Sequence, residues 1–314
     1  MGSSSHIVGC LQQVGAWQSG AVTSSSTTSG AQAGPQSVPP IVTVDWLHRR
    51  LETDVGRVVV CEVGSTMGGG DPGADHRSGH VPAARFVSLD HVLADPPTAT
   101  AGRHPLPSPE DFARRLGAIG IADDDTVVAY DRRGGGGLAA RLVWMLRVIG
   151  QPAALLDGGL AAWDQPVEAG DVDVDAVERT TRPWPSTAVA DAHIVADHIR
   201  AGGVVIDSRD RSRYAGDNEP IDPVAGHVPG AINLPYPDNL DDHGRFRTGA
   251  ELVDRFAVAA GDDHPIVYCG SGVTACHNAL AMEHIGLGLP RVYVGSWSGW
   301  SADPERPIAI GPNP

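Results

Sequence analysis

The chain has 314 residues and a formal net charge of −15, which argues against nucleic acid or an anionic membrane surface as a general partner. No apolar run approaches the roughly 18 residues that span a bilayer, and the length suits about two domains. All 23 basic residues are arginine, so no lysine can act as a base or form a Schiff base.

Residues 1–38 are rich in serine, glycine, alanine and threonine. We predict a disordered tail there, because this composition buries too little apolar surface to offset the entropy of ordering. The tail also lacks the basic start and long apolar core of a secretory leader. Four cysteines occur without a CxxC pair, which argues against a zinc site or a disulfide framework: Cys10, Cys61, Cys269 and Cys276. We therefore expect a cytoplasmic protein that needs no metal or other cofactor.

The first half of the chain, residues 39–164, alternates predicted strands and helices. Short β-branched runs bounded by glycine are typical of buried parallel strands. A capping-box pattern from Ser108 to Asp111 and a stop at Gly120 delimit one helix, and an apolar segment that ends at Gly150 forms another. We expect strands at 57–63, 126–131 and 153–157, and helices at 108–120 and 138–150.

The second half, residues 188–314, follows the same order, and Thr248 and Glu251 supply a second capping box. Between the halves, residues 165–187 are acidic and end in prolines, as expected of a linker. Strand–helix alternation in each half predicts an α/β fold, with an open, mostly parallel sheet and helices on both faces. The expected strands are 203–209 and 265–269, and the expected helices are 248–261 and 274–285.

Three sequence blocks of the first half recur in the second, in the same order and at nearly constant spacing. SGHVPAARFVSLD resembles AGHVPGAINLPYP, TVVAYDRRGGGG resembles PIVYCGSGVTA, and LLDGGLAAW resembles VYVGSWSGW. We therefore predict two copies of one domain. In this pairing Asp131 of the first copy corresponds to Cys269 of the second.

Cys269 ends a predicted strand and precedes a glycine-rich loop, and ligands of parallel sheets bind at the carboxyl ends of strands. The glycines let backbone amides turn inward, and the N-terminus of the following helix adds its positive dipole end. In this field we expect more of the Cys269 thiol to be nucleophilic thiolate than in a free cysteine. We predict that Cys269 is a catalytic nucleophile. The loop residues expected to bind its substrate are Gly270, Ser271, Gly272, Val273 and Thr274.

Other chemistries are less compatible with this loop. A nucleotide phosphate loop requires a lysine, and a cysteine phosphatase requires an arginine six positions after the cysteine, where this chain has Ala275. A Cys–His protease stays formally open, but nothing in the sequence places His80 or His227 beside the nucleophile. Cys61 lies in an apolar strand, typical of a packing residue, and we interpret Cys276 as helix packing rather than a redox-active thiol.

Four motifs make the chain similar to the tandem rhodanese-fold sulfurtransferases, the family that uses 3-mercaptopyruvate or thiosulfate, over nearly all of residues 41–314. The motifs are VVIDSRDRSRYAG followed by EP, GHVPGAINLPY, YCGSGVTAC, and GSWSGW followed by PERPIA. The resemblance implies two rhodanese domains, of which only the C-terminal one is catalytic, because Asp131 stands where the first would need its cysteine.

The resemblance also implies a persulfide mechanism with two half-reactions. Cys269 takes a sulfur atom from a small donor, and the persulfide passes it to cyanide, a small thiol or a reduced thioredoxin-like protein. Thiosulfate enzymes of this type carry basic residues just after the cysteine, whereas CGSGVT looks like the 3-mercaptopyruvate type. In that type Ser271 takes part in proton handling, and Arg213 meets the anionic group of the donor.

Three further residues are implied as substrate-binding by the resemblance. Asp207 and Arg209 match the start of the donor-binding segment, where they either contact substrate or form a structural ion pair. His80 matches a first-domain histidine that works with an aspartate, Asp71 or Asp75, and with the loop serine. The alternative for His80 is a structural, hydrogen-bonded histidine in the GHVP turn.

Three positions depart from the family pattern. Ile221 stands where a second arginine often follows EP, which removes a charge-assisted contact worth about 1.5–3 kcal/mol. Val294 and Gly299 replace acidic residues that would support the loop. These departures leave thiosulfate as an alternative donor. They also motivate a second hypothesis, a non-catalytic binding or sulfide-sensing module of the same fold.

Overall fold

The computed structural model describes residues 38–53, 56–67, 69–132 and 134–314. The tail expected over residues 1–38 therefore lies, except for its last residue, outside the described part of the chain. No helix within the described ranges is long and apolar enough to cross a lipid bilayer.

The first half of the chain forms a five-stranded parallel sheet. Its strands are β1 (Ile41–Val42), β2 (Val58–Gly64), β3 (Arg85–Ser88), β4 (Thr126–Tyr130) and β5 (Ala153–Leu156). They lie side by side in the order β1-β5-β4-β2-β3. The helices of this half are α1 (Val44–Leu51), α2 (Pro72–Ser78), α3 (Pro109–Ala118) and α4 (Ala139–Val148), followed by a 3-10 helix at Gly159–Ala162.

The second half repeats this arrangement. Its strands are β6 (Val189–Ala190), β7 (Val205–Asp207), β8 (Ile232–Asn233), β9 (Ile266–Tyr268) and β10 (Arg291–Tyr293). Their order, β6-β10-β9-β7-β8, is that of the first sheet, and every pairing is parallel. The helices are α5 (Ala192–Arg200), α6 (Arg211–Ala215), α7 (Gly249–Phe256), α8 (Ala275–His284) and α9 (Ser296–Trp300), with 3-10 turns at Tyr236–Asn239 and Ala257–Ala259. The predicted fold class and the duplication are confirmed.

Each strand and helix predicted from the sequence corresponds to an observed element, with small differences at the ends. Ser108 caps α3 by accepting a hydrogen bond of 3.0 Å from the Asp111 amide. Thr248 and Glu251 form the complete reciprocal capping box of α7. Five strands in the described part of the chain were not predicted. Strands β1, β6 and β8 span two residues each and are too short to show periodicity. Strands β3 and β10 span four and three residues.

Helices α4 and α8 pack against each other and join the two halves. Both are buried around nearly their whole circumference, which accounts for the apolar sequence of α4. One cluster of buried side chains runs from Val59 in the first half to Val292 in the second. Near the ends of these helices Arg147 and Glu283 form a two-pronged ion pair, with N–O distances of 2.7 and 2.5 Å. The two halves therefore share a buried hydrophobic cluster, and each half also has a smaller cluster of its own.

Residues 163–188 contain no helix or strand, and this segment packs along the first half. Glu168 and His80 exchange two backbone hydrogen bonds of 2.8 and 2.9 Å. Farther along, the Val177 amide donates to the Gly117 carbonyl at 2.9 Å. The segment that we predicted as a linker is thus tied to the first domain before it enters the second.

Candidate active site

Cys269 follows the last residue of β9 and lines a cavity between the two halves. Its side chain is only 2% exposed, and the cavity has a volume of about 320 Å³. The second half contributes Gly270, Ser271, Val273, Thr274 and Arg213 to the lining, and the first half contributes Met67, Arg103, Asp131 and Leu138, among others. Both halves are therefore needed to form the site.

Gly272 sets the shape of the loop after the cysteine. It has a φ of +73°, and a Cβ atom there would stand 2.6 Å from the carbonyl oxygen of Val294, so a larger residue would be strained and would clash. In the part of the chain that the structure describes, the backbone amides of residues 270–274 donate to no protein acceptor. They are available to stabilise negative charge on the Cys269 sulfur.

Helix α9 anchors the loop. The amides of Trp297 and Ser298 donate to the carbonyls of Cys269 and Gly270 at 2.9 and 3.0 Å. The amide of Cys269 donates to Ser296 Oγ at 3.2 Å. A Cβ atom on Gly299 would stand 3.1 Å from the carbonyl oxygen of Thr100. The glycine at 299 therefore lets a turn of the first half approach the loop closely, and the loop is supported without an acidic residue there.

A buried contact joins the loop serine to a histidine of the first half. Ser271 Oγ lies 2.8 Å from His104 Nδ1, and His104 Nε2 faces Asp90 Oδ1 at 3.9 Å. Burial, together with two nearby guanidinium groups, lowers the pKa of His104 to about 4, so the imidazole is neutral at neutral pH. With its proton on Nε2, toward Asp90, the ring accepts the hydroxyl proton of Ser271 at Nδ1.

His80 does not take this position, and its contacts favour the alternative of a structural, hydrogen-bonded histidine in the GHVP turn. Its Nδ1 lies 2.9 Å from the carbonyl oxygen of His76, and the two imidazole rings stack at 4.0 Å. His227 makes the matching contacts in the second half, with a backbone carbonyl at 2.8 Å and a stacked ring. Asp71 caps α2, and Asp75 is exposed. His80 is therefore a structural residue of its turn.

Arg213 lines the cavity and is held by two carboxylates. Its guanidinium donates to Glu219 at 2.8 to 3.1 Å and to Asp222 at 3.1 Å. Arg103 of the first half binds the other oxygen of Asp222 at 2.5 Å. Both guanidiniums lie close to Gly270. A Cβ atom added there would stand 3.1 Å from Arg103 and 3.3 Å from Arg213. Arg103, which was not predicted, supplies a cation like the one absent at position 221.

Asp207 and Arg209 form a buried ion pair outside the cavity lining, with Nη2 and Oδ2 separated by 2.6 Å. Arg209 also donates to Glu219 at 3.2 Å and lies 4.7 Å over the ring of Trp297. These contacts favour the structural ion pair over contact with substrate, because these polar groups are used within the fold. Arg209 acts indirectly, since it positions the carboxylate that holds Arg213.

The first half has an aspartate, Asp131, where the second half has Cys269. Asp131 Oδ2 accepts hydrogen bonds from the amides of Leu138 and Ala139 at 2.8 and 3.2 Å, at the start of α4. The carboxylate thus occupies the anion position that this end of the helix offers. No thiol stands at this position of the first half.

Cys276 and Cys61 are packing residues. Cys276 Sγ donates to the carbonyl oxygen of Gly272 at 3.4 Å. Burial raises the pKa of each of these thiols to about 12, so both stay protonated at neutral pH. Cys269 differs from them in that it lines the cavity.

Comparison with known proteins agrees with this geometry. The rhodanese-like domain family matches the chain twice, over residues 43–166 and 191–303. The "Probable 3-mercaptopyruvate sulfurtransferase" of Pseudomonas aeruginosa is 42% identical over 249 residues, covering 75% of this chain and 86% of that protein. The thiosulfate sulfurtransferase of Corynebacterium glutamicum is 30% identical over 290 residues, covering 87% of this chain and 91% of that protein.

The crystal structure of the 3-mercaptopyruvate sulfotransferase SseA from Escherichia coli is also similar. It matches with a TM-score of 0.70 and 28% identity, over 83% of this chain and 99% of that chain. The family, the tandem arrangement and the enzyme class predicted from the sequence are therefore confirmed. The chain belongs to the rhodanese-like family and is a tandem-domain sulfurtransferase.

Proposed function

We propose that this sulfurtransferase takes the sulfur atom of 3-mercaptopyruvate and carries it as a persulfide on Cys269. The observation that carries the proposal is the buried contact of 2.8 Å between Ser271 and a neutral His104. Pyruvate leaves 3-mercaptopyruvate as an enolate that must take up a proton, whereas sulfite leaves thiosulfate without one. A neutral base paired with a hydroxyl next to the nucleophile therefore suits 3-mercaptopyruvate.

The first half-reaction transfers a sulfur atom to the cysteine and moves one proton from sulfur to carbon. The thiolate of Cys269 attacks the thiol sulfur of the donor and forms an S–S bond. The C–S bond of the donor breaks, and its electron pair moves to the carbon, which leaves as the enolate of pyruvate. Ser271 and His104 pass the proton released by the donor thiol to the enolate carbon. The products are a persulfide anion and pyruvate.

The carboxylate of the donor is proposed to bind between Arg213 and Arg103. Both guanidiniums lie beside Gly270, next to the nucleophile, and each charge-assisted hydrogen bond is worth about 1.5–3 kcal/mol. Asp222 holds both arginines in place. Arg103 would in this way compensate for the arginine that Ile221 replaces.

In the second half-reaction an acceptor attacks the outer sulfur of the persulfide, the S–S bond breaks, and the Cys269 thiolate is released. The amides of residues 270–274, which donate to no acceptor among the described residues, are proposed to stabilise its negative charge. Cyanide, a small thiol and a reduced thioredoxin-like protein are the proposed acceptors. Because the cysteine is 2% exposed, the attacking atom has to enter the cavity.

Thiosulfate is the second candidate donor. Two guanidiniums beside the loop suit a sulfonate as well as a carboxylate, and relatives named for either donor match the chain. The residues just after the cysteine, Gly270 and Ser271, carry no charge. The relay from Ser271 to His104, which thiosulfate does not need, favours 3-mercaptopyruvate.

The test measures thiocyanate formed from cyanide with each donor in turn. We expect a higher kcat/KM with 3-mercaptopyruvate, and faster turnover with thiosulfate would reverse the donor assignment. Mass spectrometry after exposure to donor without acceptor should find one added sulfur atom on Cys269. The Cys269→Ser variant serves as the control and should neither gain sulfur nor form thiocyanate.

A further inference from the structure

Arg141 is a buried cation of the first domain that contacts the active site of the second. Its side chain is 0% exposed. Nη1 donates to the carbonyl of Gly272 at 2.7 Å, and Nη2 donates to the carbonyl of His104 at 3.1 Å. Among the residues that the structure describes, no carboxylate pairs with Arg141, and its buried Nε has no acceptor.

Burying this charge destabilises the folded protein, because a buried ion without a counter-ion loses its hydration and gains no ionic partner. The other cations at the cavity are balanced, since Arg103 and Arg213 bind Asp222 and Glu219. The remaining acidic side chains of the lining are Asp131, whose carboxylate is bound to helix amides, and Asp210. The position of Arg141 therefore points to a negative charge that arises during the reaction.

Two cysteines flank, in sequence, the Gly272 carbonyl that Arg141 binds. Cys276 shares the Gly272 carbonyl with Arg141, but burial raises the pKa of its thiol to about 12, so it remains a neutral donor. Cys269 is the other sulfur, and it lines the cavity in which the reaction takes place. It gains negative charge first as a thiolate and then as a persulfide.

The repeat provides an internal comparison. His277 is the third residue of α8, just as Arg141 is the third residue of α4. His277 Nε2 lies 2.7 Å from the carbonyl oxygen of Gly135, in the glycine-rich loop of the first half. Each helix thus contacts the loop of the opposite half. Burial lowers the pKa of His277 to about 4, so it is neutral, whereas a permanent cation faces the loop that carries the cysteine.

The contact with Gly272 also orients the loop. The C=O and N–H groups of one planar peptide point in opposite directions. When Arg141 holds the Gly272 oxygen, the amide of Val273 is directed away from the guanidinium. Val273 lines the cavity, so this contact fixes the orientation of a peptide group in the cavity wall.

We infer that Arg141 is a positioning residue for sulfur transfer, which the non-catalytic domain supplies to stabilise negative charge on the Cys269 sulfur. It does so through the charge of its guanidinium and through its hold on the Gly272 carbonyl. The inference rests on the proposed role of Cys269 as sulfur carrier, and it is independent of the choice of donor.

The test follows the rate at which iodoacetamide alkylates Cys269, resolved from the other cysteines by mass spectrometry. For Arg141→Gln we expect the rate at a pH of about 7 to fall at least about tenfold, because an opposite charge close to a thiol strongly favours its ionised form. The difference should shrink toward a pH of about 9, where a thiol ionises without help. Arg141→Lys keeps the charge and should recover most of the rate.

His277→Gln is the matched control. It removes the corresponding contact at the same interface, so it should affect stability in a similar way but leave the alkylation rate unchanged. A wild-type rate in folded Arg141→Gln would overturn the inference, and so would equal slowing in the glutamine and lysine variants.

If Arg141→Gln fails to fold, as judged by near-ultraviolet circular dichroism, Arg141→His takes its place. His277 shows that this helix position accepts a neutral imidazole. The same loss of rate is expected in this variant, and a wild-type rate would again overturn the inference. Because iodoacetamide needs no sulfur donor, a failure of thiocyanate formation with both donors would count against the proposed function alone.

Discussion

Replacing Ser271 by alanine tests the proton relay next to Cys269. The serine is 4% exposed and lies 2.8 Å from Nδ1 of His104, which is 6% exposed. Bulk water therefore does not readily replace the hydroxyl. The change removes one oxygen atom and leaves the loop backbone in place, because Gly272 and helix α9 determine its shape.

The size of the effect follows from two contributions. His104 loses its partner, and an unsatisfied buried nitrogen costs about 1–3 kcal/mol of stability in the free enzyme. Loss of general acid–base assistance in the transition state lowers the rate by about 10²–10⁴-fold. We therefore expect persulfide formation from 3-mercaptopyruvate to slow by about 10²–10⁴-fold. Formation from thiosulfate, which releases sulfite without a proton, should slow by less than about tenfold.

The assay is single-turnover persulfide formation, followed by mass spectrometry for each donor separately, so that the acceptor plays no part. His104→Gln and the double variant complete a double-mutant cycle with Ser271→Ala. If the two residues act as one unit, the double variant loses no more rate than the slower single variant. Equal losses with both donors, or losses that multiply in the double variant, would refute the relay.

Gly272→Ala should abolish sulfur transfer, because residue 272 has a positive φ and the added Cβ would stand 2.6 Å from a backbone oxygen. The specific activity of the folded variant measures this effect, and near-normal turnover would contradict the prediction. The free energy of unfolding should rise from a pH of about 4 to 6.5, because the pKa values of His104 and His277 are lowered to about 4 and the unfolded chain then binds more protons. Urea titrations across this range check the slope, and a flat dependence would be inconsistent with neutral, buried imidazoles. Glu283→Gln removes one charge of the partly buried pair with Arg147 and should cost about 1–3 kcal/mol, seen as a lower urea midpoint with unchanged donor preference.

The architecture could be predicted because its signals are local and occur twice. β-Branched runs, glycine stops and the capping box at Thr248 and Glu251 each reflect interactions between residues that are close in sequence. The shared strand order of the two sheets followed from the repeated blocks. The two-residue strands could not be predicted, since their pairing depends on neighbours that are distant in the chain.

The candidate site could be predicted only where its residues stand in recognisable motifs of the second half. Cys269, Ser271 and Arg213 stand in recognisable motifs and line the cavity together. His104 comes from the other half, and no local pattern indicates that its segment crosses to the second domain. The repeat holds a weak signal, because GRH at 102–104 matches GRF at 244–246. His80 stands in a more recognisable motif, but its imidazole is hydrogen-bonded within its own turn.

Because the cavity lies between the halves, the two copies of the domain have different tasks in one site. One copy has no nucleophile of its own, yet it supplies Arg103, His104 and Arg141 to the surroundings of the other copy's sulfur. The two copies can therefore neither diverge independently nor be exchanged singly between relatives without loss of chemistry. Transplanting the second domain alone would carry the cysteine without the groups that tune it. Attempts to alter donor preference should begin with substitutions in the first half, which supplies residues to the cavity but not the cysteine.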